Sequence, residues 1–169
     1  MITKTSCAKL LILFSLATCL TGCFEAVNFN DKPMYPHAIT PRSTWTVKGV
    51  GTGCKFNDLN AILDGNNNTY MSTSGDYENA SLIFDLKRIC RFNAITVFHG
   101  TGRKELGHAG VINVYVSDDG KNFKFIKSFP GTRKYTYFTL LTPVKGRYLK
   151  LEAARSGRYP WTISNILIQ

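Results

Sequence analysis

The feature that most restricts the fold of this chain is a two-residue alternation of apolar and polar side chains, repeated in short runs from Thr44 onward. In "GVINVYVSDDG" it sets Ile112, Val114 and Val116 on one face and Asn113 and Tyr115 on the other. "ASLIFDL" does the same with Leu82, Phe84 and Leu86, and "AITVFHG" pairs Ile95 with Val97. Successive side chains of an extended strand point to opposite faces, so this pattern buries one face of a sheet and wets the other. The runs "NFKFIKSF", "KYTYFTLLTPV", "RYLKLEAA" and "WTISNILIQ" follow, with Asp119-Gly120, Pro130-Gly131 and Lys145-Gly146 reading as turns between strands. No segment carries a convincing helical period, and no internal repeat or low-complexity tract appears. Several short strands at this spacing predict an all-β, antiparallel sandwich.

The N-terminus reads differently. "MITKTSCAKLLILFSLATCLTGCF" places Lys4 and Lys9 before an apolar run from Leu10 to Leu20, then small residues ahead of Cys23. The run is shorter than the roughly 20 residues a membrane-spanning helix needs, so it reads as a secretory leader. Leu20-Thr21-Gly22-Cys23 resembles the lipobox of bacterial lipoproteins, which implies cleavage before Cys23 and lipidation of that cysteine. The alternative is an ordinary leader cut nearby, leaving a secreted, unanchored protein. Two or more acyl chains would make attachment effectively permanent. Because Phe24 rather than Asp follows the cysteine, the same resemblance implies an outer-membrane or cell-surface location in a Gram-negative host.

The expected organisation is therefore a leader over residues 1–22, a lipidated cysteine and tether over 23–43, and one domain over 44–169. The tether "FEAVNFNDKPMYPHAITPRS" holds three of the six prolines and no lasting periodicity. Some 147 residues suffice for one core and are too few for two ordinary domains. Without the two leader lysines, 19 basic residues face 11 acidic ones, a formal +8. That balance favours anionic partners without choosing among them.

Of the five cysteines, Cys7 and Cys19 leave with the leader and Cys23 is assigned to the lipid, so Cys54 and Cys90 remain. An even pair in an oxidising compartment predicts a disulfide, worth roughly 3–4 kcal/mol on the chain-entropy estimate; the alternative is two buried thiols. Neither cysteine has the paired spacing of a zinc site. "AILDGNNNTYMSTSG" has the small polar residues of a tight turn and includes Asn67-Asn68-Thr69, a glycosylation sequon that a bacterial envelope protein has no general enzyme to use.

The ordered segments "LDGNNNTYMS", "ASLIFDLKRICRFNAITVF", "INVYVSDDGKNFKFI", "GRYLKLEA" and "WTISNILI" resemble the discoidin-like domain, also called the coagulation factor V/VIII type C domain. Its bacterial relatives include carbohydrate-binding modules of family 32. The resemblance implies a galactose-binding-domain-like jelly roll with binding loops at one end. In sugar-binding members, the loop at "DGNNNT" commonly wraps a structural calcium ion. Carried over, the ligands would be the Asp64 carboxylate, the Asn66 carbonyl, both Thr69 oxygens, the Ala61 carbonyl, and Asn165 with the Ser164 carbonyl. Calcium takes six to eight oxygens, which a tight polar loop can gather. Asn165 stands where the family usually has Glu, leaving Asp64 as the one obvious charged ligand. The competing reading is a turn in which Asp64 caps backbone amides. A second departure is Met71 in place of the usual Trp, an adaptable core filler.

Sugars are held by aromatic rings stacked on their C–H faces and by His, Arg and Asn paired with hydroxyls. The candidate loops are "SGDYENA", "HGTGRKELGHAG", "GTRKYTY" and "RSGRYPW", with Arg103, His108, Arg155, Tyr159 and Tyr77 as binding candidates beside Arg158. Trp161 is assigned to the core. Of the three histidines, His37 lies in the tether, while His99 and His108 flank a glycine-rich loop lacking a recognised nucleophile setting. The glycine-rich stretches do not fit a phosphate loop followed by a helix. The expectation is a noncatalytic lipoprotein domain that binds envelope or host glycan, with galactose-type or acidic sugars foremost and nucleic acid not expected. The alternatives are adhesion to anionic phospholipid or to a protein, or a structural role in an envelope assembly.

Overall fold

A computed structural model describes residues 38–101 and 106–169. The leader, Cys23, the tether up to His37, and Arg103 lie outside the described residues. The described residues form nine strands in order: β1 (Thr46–Val50), β2 (Cys54–Asn57), β3 (Met71–Gly75), β4 (Ser81–Phe98), β5 (Val111–Ser117), β6 (Lys124–Pro130), β7 (Tyr135–Arg155), β8 (Thr162–Ile163) and β9 (Asn165–Ile168). Short 3₁₀ turns at Arg42–Thr44 and Leu59–Ile62 are the only helical pieces among the described residues. One sheet runs β1-β4-β7-β5-β6 with β9 also on β4, the other β2-β3-β8, and every pairing is antiparallel.

The alternating residues do what their spacing dictates. Leu82, Phe84, Leu86, Ile95, Val97, Ile112, Val114 and Val116 all enter one core, joined by Ile62, Met71, Trp161 and Ile163. Met71 and Trp161 are fully buried, so thioether and indole serve as core packing.

Two long strands bind the layers together. The first part of β4 pairs with β1 and its last part with β9, while β7 follows it on the other side throughout. Between Asp85 and Cys90 the register slips, and Lys87 takes a left-handed backbone (φ 63°). Asp85 caps that bulge by accepting the Lys87 amide at 2.8 Å, and it receives Arg147 through two bonds of 2.9 Å. The Arg147 guanidinium, chiefly, holds the Asp85 carboxyl well below the usual carboxylate range.

Three expectations change. Lys145-Gly146 is not a turn but lies inside β7, opposite Arg91 and Cys90. A Cβ at Gly146 would stand 3.2 Å from the Ser117 carbonyl and from the Val116 Cβ, so the glycine eases a tight approach to β5. The Cys54–Cys90 disulfide is not formed, and both thiols are free. Cys54 pairs with Gly75 on the smaller sheet and sits near Ala80, just before β4. Ser81 faces Glu152 and Cys90 faces Gly146, six residues apart along β7. That is about 20 Å at roughly 3.3 Å per residue, far beyond the roughly 7 Å Cα separation a disulfide tolerates. Finally, the folded unit begins before residue 44: the Ile39 amide bonds the Ile168 carbonyl at 2.8 Å, and Arg42 is buried.

Candidate functional site

Four loop regions meet at one end of the sandwich around a cavity of about 830 Å³. Tyr70, Ser72 and Thr73 come from the start of β3; Leu106, Gly107 and His108 from the loop before β5; Arg133 from the β6–β7 loop; and Arg158, Tyr159, Pro160 and Thr162 from the loop leading into β8.

The loops approach one another closely through their main chains. A Cβ at Gly107 would collide with the Pro160 carbonyl, and one at Gly157 with the His108 carbonyl. Only glycine permits so close a backbone approach. The Tyr77 hydroxyl locks the junction, accepting the Gly157 amide at 2.6 Å and donating to the Tyr159 carbonyl at 2.9 Å. Its ring is 4% exposed and stacks on Trp161 at 6.4 Å. Tyr77 is therefore a buried brace and not the ligand platform expected of it.

Beneath the cavity lies His99, fully buried. Its Nδ1 is 2.9 Å from the Thr162 carbonyl and its Nε2 is 2.8 Å from the Thr136 hydroxyl. A carbonyl can only accept, so Nδ1 carries the proton and Nε2 takes the hydroxyl's. Burial, with the neighbouring His108 adding to it, pushes the His99 pKa down to about 4. Thr162 carries the restraint upward: its amide donates to the Gly107 carbonyl at 3.0 Å and its hydroxyl lies 2.6 Å from the same oxygen. His108, half-buried above His99 at 5.9 Å between ring centres, has Nδ1 2.9 Å from the Ala109 carbonyl. Its Nδ1 thus holds the hydrogen, leaving Nε2 with a lone pair for a donor.

The cavity's walls are aromatic and cationic. Tyr159 is 61% exposed with the Arg158 guanidinium 5.5 Å from its ring centre, and Tyr70 is also exposed. Arg133 and Arg158 make no ion pair among the described residues, and no carboxylate is among the described lining residues. The structure thus brings His108 and Tyr159 together as expected. It leaves Arg155 outside the lining, its backbone paired with Gly110 and Val111. Arg133 stands in a loop singled out from sequence, whereas Tyr70, Ser72 and Thr73 carried no signal beyond adjacency to "DGNNNT".

The residues proposed for calcium do not fit an ion shell. Asp64 spends Oδ1 on the Asn66 amide at 2.8 Å and Oδ2 on the Thr69 hydroxyl at 2.7 Å. That hydroxyl is also 2.8 Å from the Asn66 carbonyl, and the Asn66 side chain accepts the Asn68 amide at 3.0 Å. Asn165 Oδ1 accepts the Ile166 amide at 2.8 Å and a hydrogen bond from Arg42 Nη1. Ala61 and Ser164 are buried, and the Ser164 hydroxyl donates to the Gly100 carbonyl. The Asp64 carboxylate, the Asn66 carbonyl and Asn165 Oδ1 thus serve the protein's own donors, one of them a cation.

An antiparallel sandwich carrying an aromatic, cationic loop cavity at one end is the architecture of the discoidin-like class. The F5/8 type C domain model matches residues 43–166, and the chain belongs to that family. A comparison with curated proteins finds no match. Among solved structures, the family 32 carbohydrate-binding module of Clostridium perfringens NanJ, in complex with galactose, is similar at 18% identity and a TM-score of 0.66, over 78% of this chain and 96% of that one. CpGH89CBM32-5 from the same organism, in complex with GalNAc-β-1,3-galactose, is similar at 18% identity and 0.66, over 78% and 98%. The C-terminal domain of a Bacteroides fragilis chitobiase matches at 17% identity and 0.64, over 78% and 96%.

Proposed function

We propose that the chain is a noncatalytic glycan-binding protein, held at a bacterial envelope by lipid on Cys23, whose loop cavity selects sugars bearing a carboxylate or sulfate. The observation that carries this is the meeting of exposed Tyr159 and Tyr70 with Arg133, Arg158 and His108 around one cavity with no carboxylate among its described lining residues. The rings offer stacking faces, the guanidiniums offer paired donors to an anionic group, and His108 accepts a hydroxyl. The family and its carbohydrate-binding structural neighbours support the glycan part of this reading.

The test is titration calorimetry of the chain from Phe24 onward against galactose, galacturonate oligosaccharides and sulfated galactans, after a broad glycan array. Binding of the anionic sugars is expected to weaken with salt. It should fall at least about tenfold in Arg133→Ala/Arg158→Ala, since a hydrogen bond to a charged group is worth about 1.5–3 kcal/mol. Equal, salt-insensitive binding of neutral and acidic sugars would refute the selectivity. Binding to anionic vesicles with no glycan bound would replace the reading by phospholipid adhesion.

A further inference from the structure

Arg42 is the only Lys, Arg, Asp or Glu buried in the core among the described residues, at 5% exposure. A buried charge requires polar partners, because the lost hydration must be replaced. Arg42 Nη1 finds two of them on the last strand, donating to Asn165 Oδ1 and to the Ile166 carbonyl at 3.0 Å. Asn165 is fully buried, and its Nδ2 is 3.5 Å from Asn67 Oδ1 in the polar loop. The side chains thus link the entry segment, the final strand and the Asp64–Thr69 loop.

Carbonyl and amide oxygens are also what a hard cation would take. A divalent ion and a guanidinium cannot share them at close range without strong like-charge repulsion. The amide at position 165 suits the guanidinium arrangement, because it accepts from Arg42 on one side and faces the loop with a donor on the other. A carboxylate could accept but not donate.

We propose that Arg42 is a built-in structural cation: its guanidinium fixes Asn165 on the last strand, whose amide reaches Asn67 of the loop, and so does the fastening that a metal ion would otherwise do, so the domain needs no divalent cation to fold. This inference stands apart from the glycan reading, since it concerns stability and not ligand. It also gives the entry segment a task. The family match begins at residue 43, so a domain cut there loses the guanidinium.

Thermal unfolding of the chain from Phe24 onward, in millimolar calcium and in chelator, tests it. The wild-type midpoint is expected to be the same in both, with no heat on calcium titration. A site filled at a hundredfold excess over its Kd would favour the folded state about a hundredfold, so a midpoint that rises with calcium overturns the proposal. Arg42→Gln lowers the midpoint without creating calcium dependence. Arg42→Gln/Asn165→Glu, which replaces the cation by a carboxylate, gains a calcium-dependent rise. A double variant indifferent to calcium would show that the guanidinium does not stand where an ion could, and would also overturn it.

Discussion

Lowering the pH from about 7 to about 5 is expected to cost about 2 kcal/mol of folding stability through His99 alone. The ring's folded pKa of about 4 lies below its ordinary 6.5, so the unfolded chain binds the proton more readily. The stabilisation is therefore complete above the unfolded value and is lost as the pH falls from 6.5 towards 4. The loss reaches about 3 kcal/mol at pH 4, on the usual 1.36 kcal/mol per pKa unit. Structurally, a proton on Nε2 would meet the Thr136 hydroxyl that now donates to it, and would place a charge 5.9 Å from His108. The assay is urea unfolding at pH values between about 7 and 5, comparing wild type with His99→Gln, which cannot titrate in this range. The carboxylate of Asp85, held low by Arg147, keeps its contribution until more acid conditions and cancels in the comparison. Parallel pH profiles for the two proteins would refute the assignment.

Two further outcomes are expected. Gly107→Ala should lower the unfolding midpoint and weaken any glycan bound, because its Cβ meets the Pro160 carbonyl and Tyr159 backbone, and a backbone clash of this sort costs about 1–3 kcal/mol. An unchanged midpoint would contradict the backbone packing. In the chain from Phe24 onward, reductant should leave the unfolding midpoint unchanged, with Cys54 and Cys90 both labelled by maleimide once denatured. Labelling of native Cys54 should be slow, since burial and then Asp76 push its thiol pKa up. An intact mass lower by two hydrogens would show a disulfide instead.

The strands were legible because alternation is local: Ile112, Val114 and Val116 each need only a neighbour two residues away to declare a buried face. The loop cavity was partly legible, since His108 and Tyr159 lie in polar, glycine-marked connections. What failed was long-range. Arg42 looked like tether because its partners are 123 and 124 residues away and its neighbours are prolines and small polar residues. Tyr77 looked like a loop aromatic, and nothing near it in sequence announces Gly157 or Tyr159. Gly146 looked like a turn because a Lys-Gly pair reads locally as a strand break, whereas its glycine serves a close approach to Val116 and Ser117 of β5, nearly thirty residues away. The two cysteines looked like a bridge because their number was even, whereas bridging depends on separation along β7 that composition does not encode.

The main-chain contact between the Gly107 and Gly157 loops separates two kinds of position. The wall of the cavity is set by glycines, carbonyls and the buried Tyr77 brace, while Arg133, Arg158 and Tyr159 project from it as replaceable parts. Exchanging those three should retune what the cavity accepts with little effect on folding, which makes this end of the sandwich a scaffold on which new recognition can be selected from small side-chain libraries.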